Sequence, residues 1–201
     1  MRKRITPILL LLTISCQFVS AQGLDLDIAK AINPSDPSSK YWRGTSSSAY
    51  VVSGVIPLTM LAAGFIEHDL ILKKKSCEVI ASIAIEFLIS DATKIIVNRQ
   101  RPGEKHPGII FPYKDMHGRS FPSGHSSLAF ATAASLSIQY HKWYVTVPAY
   151  LWAGSVAYSR VYLGVHYPSD VLAGAAIGVG SAYLAHWLDH LLFAKKTAKP
   201  L

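Results

Sequence analysis

Five apolar segments, at roughly 49–66, 77–97, 124–140, 143–159 and 169–189, divide this chain. Each is about 15 to 21 residues long, near the length at which an α-helix crosses a bilayer, and the shorter ones need tilt. The pattern predicts an all-α fold. Length alone is equally compatible with a helical bundle buried in water. The stretches between them are polar. Residues 22–48 open on a short amphipathic run, "LDLDIAKAI", suited to a membrane surface, and continue into the turn-rich "NPSDPSSK".

The first 21 residues join a basic start (Arg2, Lys3, Arg4) to an apolar run that ends in Val19, Ser20 and Ala21. That architecture is a secretory signal peptide cleaved after Ala21. The same residues also read as a retained first membrane anchor, or, through Cys16, as a lipoprotein leader. The expected organisation is therefore a signal peptide or first anchor at 1–21 and a polar interfacial linker at 22–48. A membrane domain at 49–190 and a basic cytoplasmic tail at 191–201 follow.

Composition favours the membrane. Of the 201 residues, 50% are hydrophobic and 16% charged, against about a quarter charged in soluble domains. Only Cys16 and Cys77 are present, so loss of the leader leaves no disulfide framework. The net charge of +8, three of it in the first four residues, invites a nucleic-acid reading. The lysines, however, cluster at the ends of apolar segments, as topology signals do. With the mature N-terminus outside, Lys73, Lys74 and Lys75, the "HKW" at 141–143 and the tail "AKKTAK" all fall in the cytoplasm. The loop 98–123 and the connection 160–168 then face outward. A retained anchor gives the same sidedness with six helices instead of five.

Three polar groups fall at the outward ends of these helices. In "KIIVNRQRP", Lys94 and Arg101 are seven residues apart, so on one helix they share a face to within roughly 20°, with Pro102 closing the helix. In "FPSGHSS", Gly124 permits close backbone approach. The helix starting near Ser123 offers free N–H groups and a positive dipole end, an anion seat, with His125 in the first turn to hand on a proton. In "SRVYLGVHYPSD", Arg160 ends one helix and His166 occupies the turn. Asp170, four residues on, is placed to take the imidazole Nδ1 proton and leave Nε2 bare as a nucleophile.

Taken singly, each group has a plain structural role. Lys94 and Arg101 read as snorkelling cations, Ser123 and Asp170 as helix caps, and the histidines as satisfied structural residues. Asp91, three residues before Lys94, suits a local ion pair, and Glu86 within a span needs a partner. Arg99, Lys114 and Arg119 suit either solvated loop charge or a second phosphate. Convergence on one side of the bundle is what sets the three groups apart.

Together, Lys94 with six residues before Arg101-Pro102, then Pro122-Ser123-Gly124-His125, then Ser159-Arg160 with His166 and Asp170, resemble the three-part signature of the type 2 phosphatidic acid phosphatase superfamily. The resemblance covers roughly residues 49–190. It implies an integral membrane helical bundle whose active site lies at the periplasmic ends of the helices, in a bacterial inner membrane. Lys94, Arg101 and Arg160 would hold the phosphate oxygens, with Ser123 and Gly124 adding hydrogen bonds. His166 would attack phosphorus, Asp170 would orient it, and His125 would protonate the departing alcohol. The implied substrate is a phosphorylated membrane lipid, with no metal, no cofactor and no nucleic-acid partner. Membrane members usually have six spanning helices with the first motif ending the third; here it ends the second unless residues 5–21 remain.

Compact, signal-bearing lipid phosphatases point to lipid A as substrate. Undecaprenyl diphosphate, phosphatidylglycerophosphate and phosphatidic acid are alternatives, as is a secreted broad-specificity acid phosphatase. A haloperoxidase, a phosphate-lipid binder and a zinc site built from His125, His166 and Asp170 complete the set. The gap of 20-odd residues between the first two motifs predicts little covering lid.

Overall fold

The computed structural model describes residues 23–193; the leader expected at 1–21 and the end of the basic tail lie outside the described residues. The chain folds as an all-α bundle. Helices α1 (23–32) and α2 (Lys40–Ile66) are followed by α3 (Leu70–Val97), the single-turn α4 (Pro102–Lys105), α5 (Gly124–Tyr140), α6 (Trp143–Tyr162) and α7 (Pro168–Phe193). Among the described residues the only strand-like feature is an isolated antiparallel bridge between Gln100 and Arg119.

The long helices outrun the apolar segments because caps set their ends. Ser39 accepts from the Trp42 N–H and starts α2 ahead of its apolar part. Asp69 accepts from Ile71 and Leu72 and starts α3 ahead of the three lysines. Asn98 stops α3 with its backbone in the left-handed region, φ 45°, which asparagine tolerates better than most residues.

At the centre lies α5, packed against α7, α6 and α3. Its buried side chains are mostly alanine and serine, which lets neighbouring backbones approach closely. Gly174 and Gly178, one turn apart on α7, sit against the backbone of α5. A Cβ on Gly174 would meet the Ser123 carbonyl at 2.6 Å. The Ser123 N–H also donates to the Asp170 carbonyl at 2.9 Å. The N-terminal ends of α5 and α7 are thus fixed side by side, which brings the second and third polar groups of the sequence together.

The outward surface is apolar. Ile96 is 82% exposed and Leu88 73%, with Leu58, Phe65, Leu151 and Leu172 also turned out. Serine, glutamate and arginine are buried inside. This arrangement suits a bundle whose solvent is lipid, and α2 and α7 are each long and apolar enough to cross a membrane.

One short helix departs from expectation. The amphipathic run at 24–32 is α1, but it docks on the protein rather than lying free on a surface. Ala29 packs with Ile110, Val161 and Val171. Asn33, just past its end, donates to the carbonyls of Phe111 and Tyr162, both at 2.9 Å, and accepts from the Phe111 N–H at 2.7 Å.

Candidate active site

Four helix ends meet on one side of the bundle: the C-termini of α3 and α6 and the N-termini of α5 and α7. The loop from 98 to 123 is stapled at its neck, where Ser120 N–H donates to the Arg99 carbonyl at 2.7 Å and its hydroxyl to the Gln100 carbonyl at 3.0 Å. That staple holds the segment carrying Arg101 beside the segment carrying Ser123.

The eight candidate phosphate-binding and catalytic residues come to this end of the bundle, though not always by the expected route. Lys94 and Arg101 do not share a helix face. Asn98 ends α3, so Arg101 lies beyond it in extended backbone, and Pro102 opens α4 rather than closing α3. Arg101 reaches the site from the loop and donates to the Val165 carbonyl at 2.9 Å. Lys94 stays on α3, 3.6 Å from Asp91 and 3.2 Å from the Ser90 hydroxyl, so the expected local ion pair is present. Buried Glu86 accepts a hydrogen bond from Ser127 on α5.

The α5 N-terminus faces Lys94. Gly124 eases that approach, since a Cβ there would stand 3.1 Å from the lysine Nζ and push it back slightly. Ser123 is buried at the N-cap position without capping, its hydroxyl accepting instead from Ser126 at 3.0 Å. The first N–H groups of α5 therefore remain as donors at the positive end of the helix. His125 packs edge-on against Tyr50 of α2, ring centroids 4.6 Å apart, within electrostatic reach of Arg160, His166 and Arg101. Tyr50 carried no signal in the sequence.

His166 is the most enclosed of the group, 3% exposed. Its Nε2 lies 3.3 Å from an Arg101 nitrogen and its Nδ1 lies 3.4 Å from an Asp170 oxygen. The second separation is an ion-pair distance without hydrogen-bond alignment. Burial, with help from Arg160 and Arg101 and against the pull of Asp170, holds the imidazole down at about 4. It is neutral at physiological pH, with an in-plane lone pair.

Asp170 does cap its helix. As the third residue of α7 it accepts the Tyr167 N–H at 2.9 Å, the carboxylate half of a capping box. Its other oxygen accepts from Arg99 at 2.7 Å. Arg99 is thus neither solvated loop charge nor a free anion site. Burial works against its charge, but Asp170 and Asp25 more than offset it and keep the guanidinium firmly protonated.

Arg160 is 1% exposed and donates to Ser46 of α2 at 2.5 Å. The Nε atoms of both Arg160 and Arg101 are buried without a partner, donors that a phosphoryl oxygen can satisfy. Burial lowers the Arg101 guanidinium despite nearby Asp170 and Glu104, so an incoming anion finds a cation only partly compensated. Among the described residues no three His, Cys, Asp or Glu side chains stand where they could hold a metal ion. The zinc arrangement therefore lacks its geometry, since the Asp170 oxygens are already taken.

Beside Arg101 the loop encloses a cavity of about 240 Å³, lined by Glu104, Asp115 and His117 together with Pro112, Met116 and Val165.

Residues 75–193 match the family model described as the PAP2 superfamily. A lipid A 4'-phosphatase of Bacteroides thetaiotaomicron is 33% identical over 129 residues, which cover 59% of this chain and 57% of that protein. The chain thus spans little more than half the length of this relative. The crystal structure of Aquifex aeolicus LpxE superposes with a TM-score of 0.68 at 29% identity, covering 82% of this chain and 95% of that one. A transmembrane PAP2-type phosphatidylglycerolphosphate phosphatase from Bacillus subtilis superposes with a TM-score of 0.70 at 22% identity over 96% of this chain and 98% of that one, a likeness of fold.

Proposed function

The chain belongs to the PAP2 superfamily, and from that premise we propose that it is a phosphatase that removes a phosphate group from a membrane lipid through a phosphohistidine. One observation carries this reading: a buried neutral imidazole has Asp170 behind its Nδ1 and the Arg101 guanidinium in front of its Nε2.

The chemistry follows from that geometry. Lys94, Arg101, Arg160 and the first N–H groups of α5 hold the phosphate oxygens. The phosphoryl group draws the Arg101 N–H away from His166 Nε2, freeing the lone pair. Nε2 then forms a bond to phosphorus as the bond from phosphorus to the lipid oxygen breaks, and His125, which enters the step as an imidazolium balanced by the bound phosphate's charge, gives its proton to that oxygen. Water, deprotonated in turn by His125, attacks the phosphohistidine, releases inorganic phosphate and restores His166. Three fixed cations supply the charge stabilisation that phosphoryl transfer demands, so the reaction needs no metal.

The cavity beside Arg101 supports lipid A as the substrate. Glu104 and Asp115 in its wall accept hydrogen bonds from sugar hydroxyls and repel a second phosphate. A glucosamine leaving group fits that wall better than the lipid-linked phosphate that would leave from undecaprenyl diphosphate. The orientation is periplasmic: Lys73, Lys74 and Lys75 begin α3, at its far end from the site, as they should on the cytoplasmic side of an inner membrane.

The test is phosphate release by the detergent-solubilised protein, with EDTA present. Substrates are lipid A, undecaprenyl diphosphate, phosphatidylglycerophosphate, phosphatidic acid and a water-soluble phosphomonoester. Release from lipid A, lost in His166→Ala, is expected. Equal release from the soluble ester would favour a broad-specificity acid phosphatase, and full activity in His166→Ala would refute the mechanism.

A further inference from the structure

Asp25 is the residue of α1 with the most to explain. It is 6% exposed and lies 50 positions before the part of the chain that matches the family. One of its oxygens accepts from the Arg99 guanidinium at 2.6 Å and from the Ser169 hydroxyl at 2.5 Å; the other accepts the Ser169 N–H at 2.8 Å. Arg99 uses its other terminal nitrogen on Ser169 and on Asp170, both at 2.7 Å. Its guanidinium carbon also lies over the Tyr167 ring, 3.8 Å from the centroid. The result is a chain of alternating charge, Asp25, Arg99, Asp170, ending on His166 Nδ1, in which both carboxylates are buried and Arg99 is 22% exposed.

Consider that chain without its first member. Arg99 and Asp170 would form a closed pair, and the carboxylate behind His166 would be neutralised by its own neighbour. When Nε2 attacks phosphorus the ring keeps its Nδ1 proton and becomes cationic, so it needs an uncompensated carboxylate at that moment. With Asp25 present, Arg99 is shared between two carboxylates. One negative charge remains in the cluster, cancelled only as the imidazolium forms. A surface position could not do this, because solvent would screen the shared charge.

We infer that Asp25 is a positioning residue of the active site: from a helix outside the family core it shares Arg99 with Asp170, leaving Asp170 free to stabilise the His166 imidazolium. The inference rests on the phosphohistidine reading above. Asp25 touches neither the phosphate-binding cations nor the His166 ring, so it acts on the rate of the chemical step and not on substrate binding.

The experiment uses the full chain in detergent, with turnover of the substrate found active above and with inorganic phosphate as a competitive probe. Asp25→Asn is expected to lower kcat about 10- to 100-fold, the scale of losing one charge-assisted hydrogen bond. KM and the phosphate inhibition constant should stay within about twofold. In an Arg99→Ala background the same substitution should cost almost nothing further, because its route to Asp170 is gone. Equal, additive losses in both backgrounds, or a phosphate constant that rises with the loss of kcat, would overturn the inference. If Asp25→Asn does not insert, Ser169→Ala keeps every charge in place and serves instead: a several-fold loss of kcat supports the clamp, and none refutes it. His166→Ala in parallel separates the two claims. If it stays active, the phosphohistidine fails; if it is dead while Asp25→Asn is fully active, only the clamp fails.

Discussion

The two ends of the bundle hold similar residues to different effect. At the end opposite the site, Glu78 of α3 lies 2.8 Å from His186 of α7, His190 stacks edge-on against His186, and Lys74 lies 2.8 Å from Asp189. The histidine–carboxylate distance there is shorter than the 3.4 Å between His166 and Asp170. Yet His186 is 35% exposed and Lys74 54%, and among the described residues no lysine or arginine hydrogen-bonds to the ring. A histidine beside a carboxylate is common; what makes the other end a site is burial, which keeps the imidazole neutral, and cations delivered from separate helices. Water at the exposed far end screens its pairs to little value.

Perturbing each end should make the contrast quantitative. Arg160→Ala removes the most deeply buried cation and leaves Ser46 without its donor. The expected loss in kcat/KM is about 10²- to 10³-fold, the scale of deleting one transition-state donor. Gly124→Ala sets a methyl 3.1 Å from the Lys94 ammonium and displaces it slightly. A drop in kcat/KM of roughly tenfold is expected, carried mainly by KM, with the melting temperature nearly unchanged; loss of folding instead would mean that the glycine serves packing alone. His186→Ala, at the far end, should leave turnover within about twofold and stability within ~1 kcal/mol.

His166 can also be followed by titration. Burial holds His166 at about 4, so as pH falls its lone pair is lost near pH 4, not near the ~6.5 of an unperturbed imidazole. Ring nitrogen chemical shifts of the detergent-solubilised protein should show His166 still neutral at pH 5. A protonated His166 at that pH would mean the site is wetter than its geometry implies.

Much of this site was legible in the sequence because its pieces are local. Lys94 with Arg101, Ser123 to His125, and Arg160 through Asp170 each lie within a dozen residues, at spacings that helix periodicity and proline positions interpret. Their common sidedness followed from the lysine clusters. What the sequence hid was set at long range or by one backbone angle. Asn98 in the left-handed region ends α3 three residues before Arg101, a stop that a continuous helical count runs through. Arg99 looked like loop charge because its partners, Asp25 and Asp170, lie 74 and 71 residues away. The α1 face that carries Asp25 and Ala29 read as a membrane-surface helix, since amphipathicity reports an apolar face without saying whether lipid or protein covers it. Tyr50 was hidden in the same way, its contact with His125 being made across two helices.

The most direct test of the central claim is to look for the covalent intermediate itself. Enzyme mixed with excess phosphorylated lipid, quenched in base where phosphohistidine survives, should carry one phosphoryl group on His166 by peptide mass spectrometry, and His166→Ala should carry none. Turnover by the native protein with no phosphoryl group on His166 under rapid quench, or with the label on another residue, would contradict the mechanism built here.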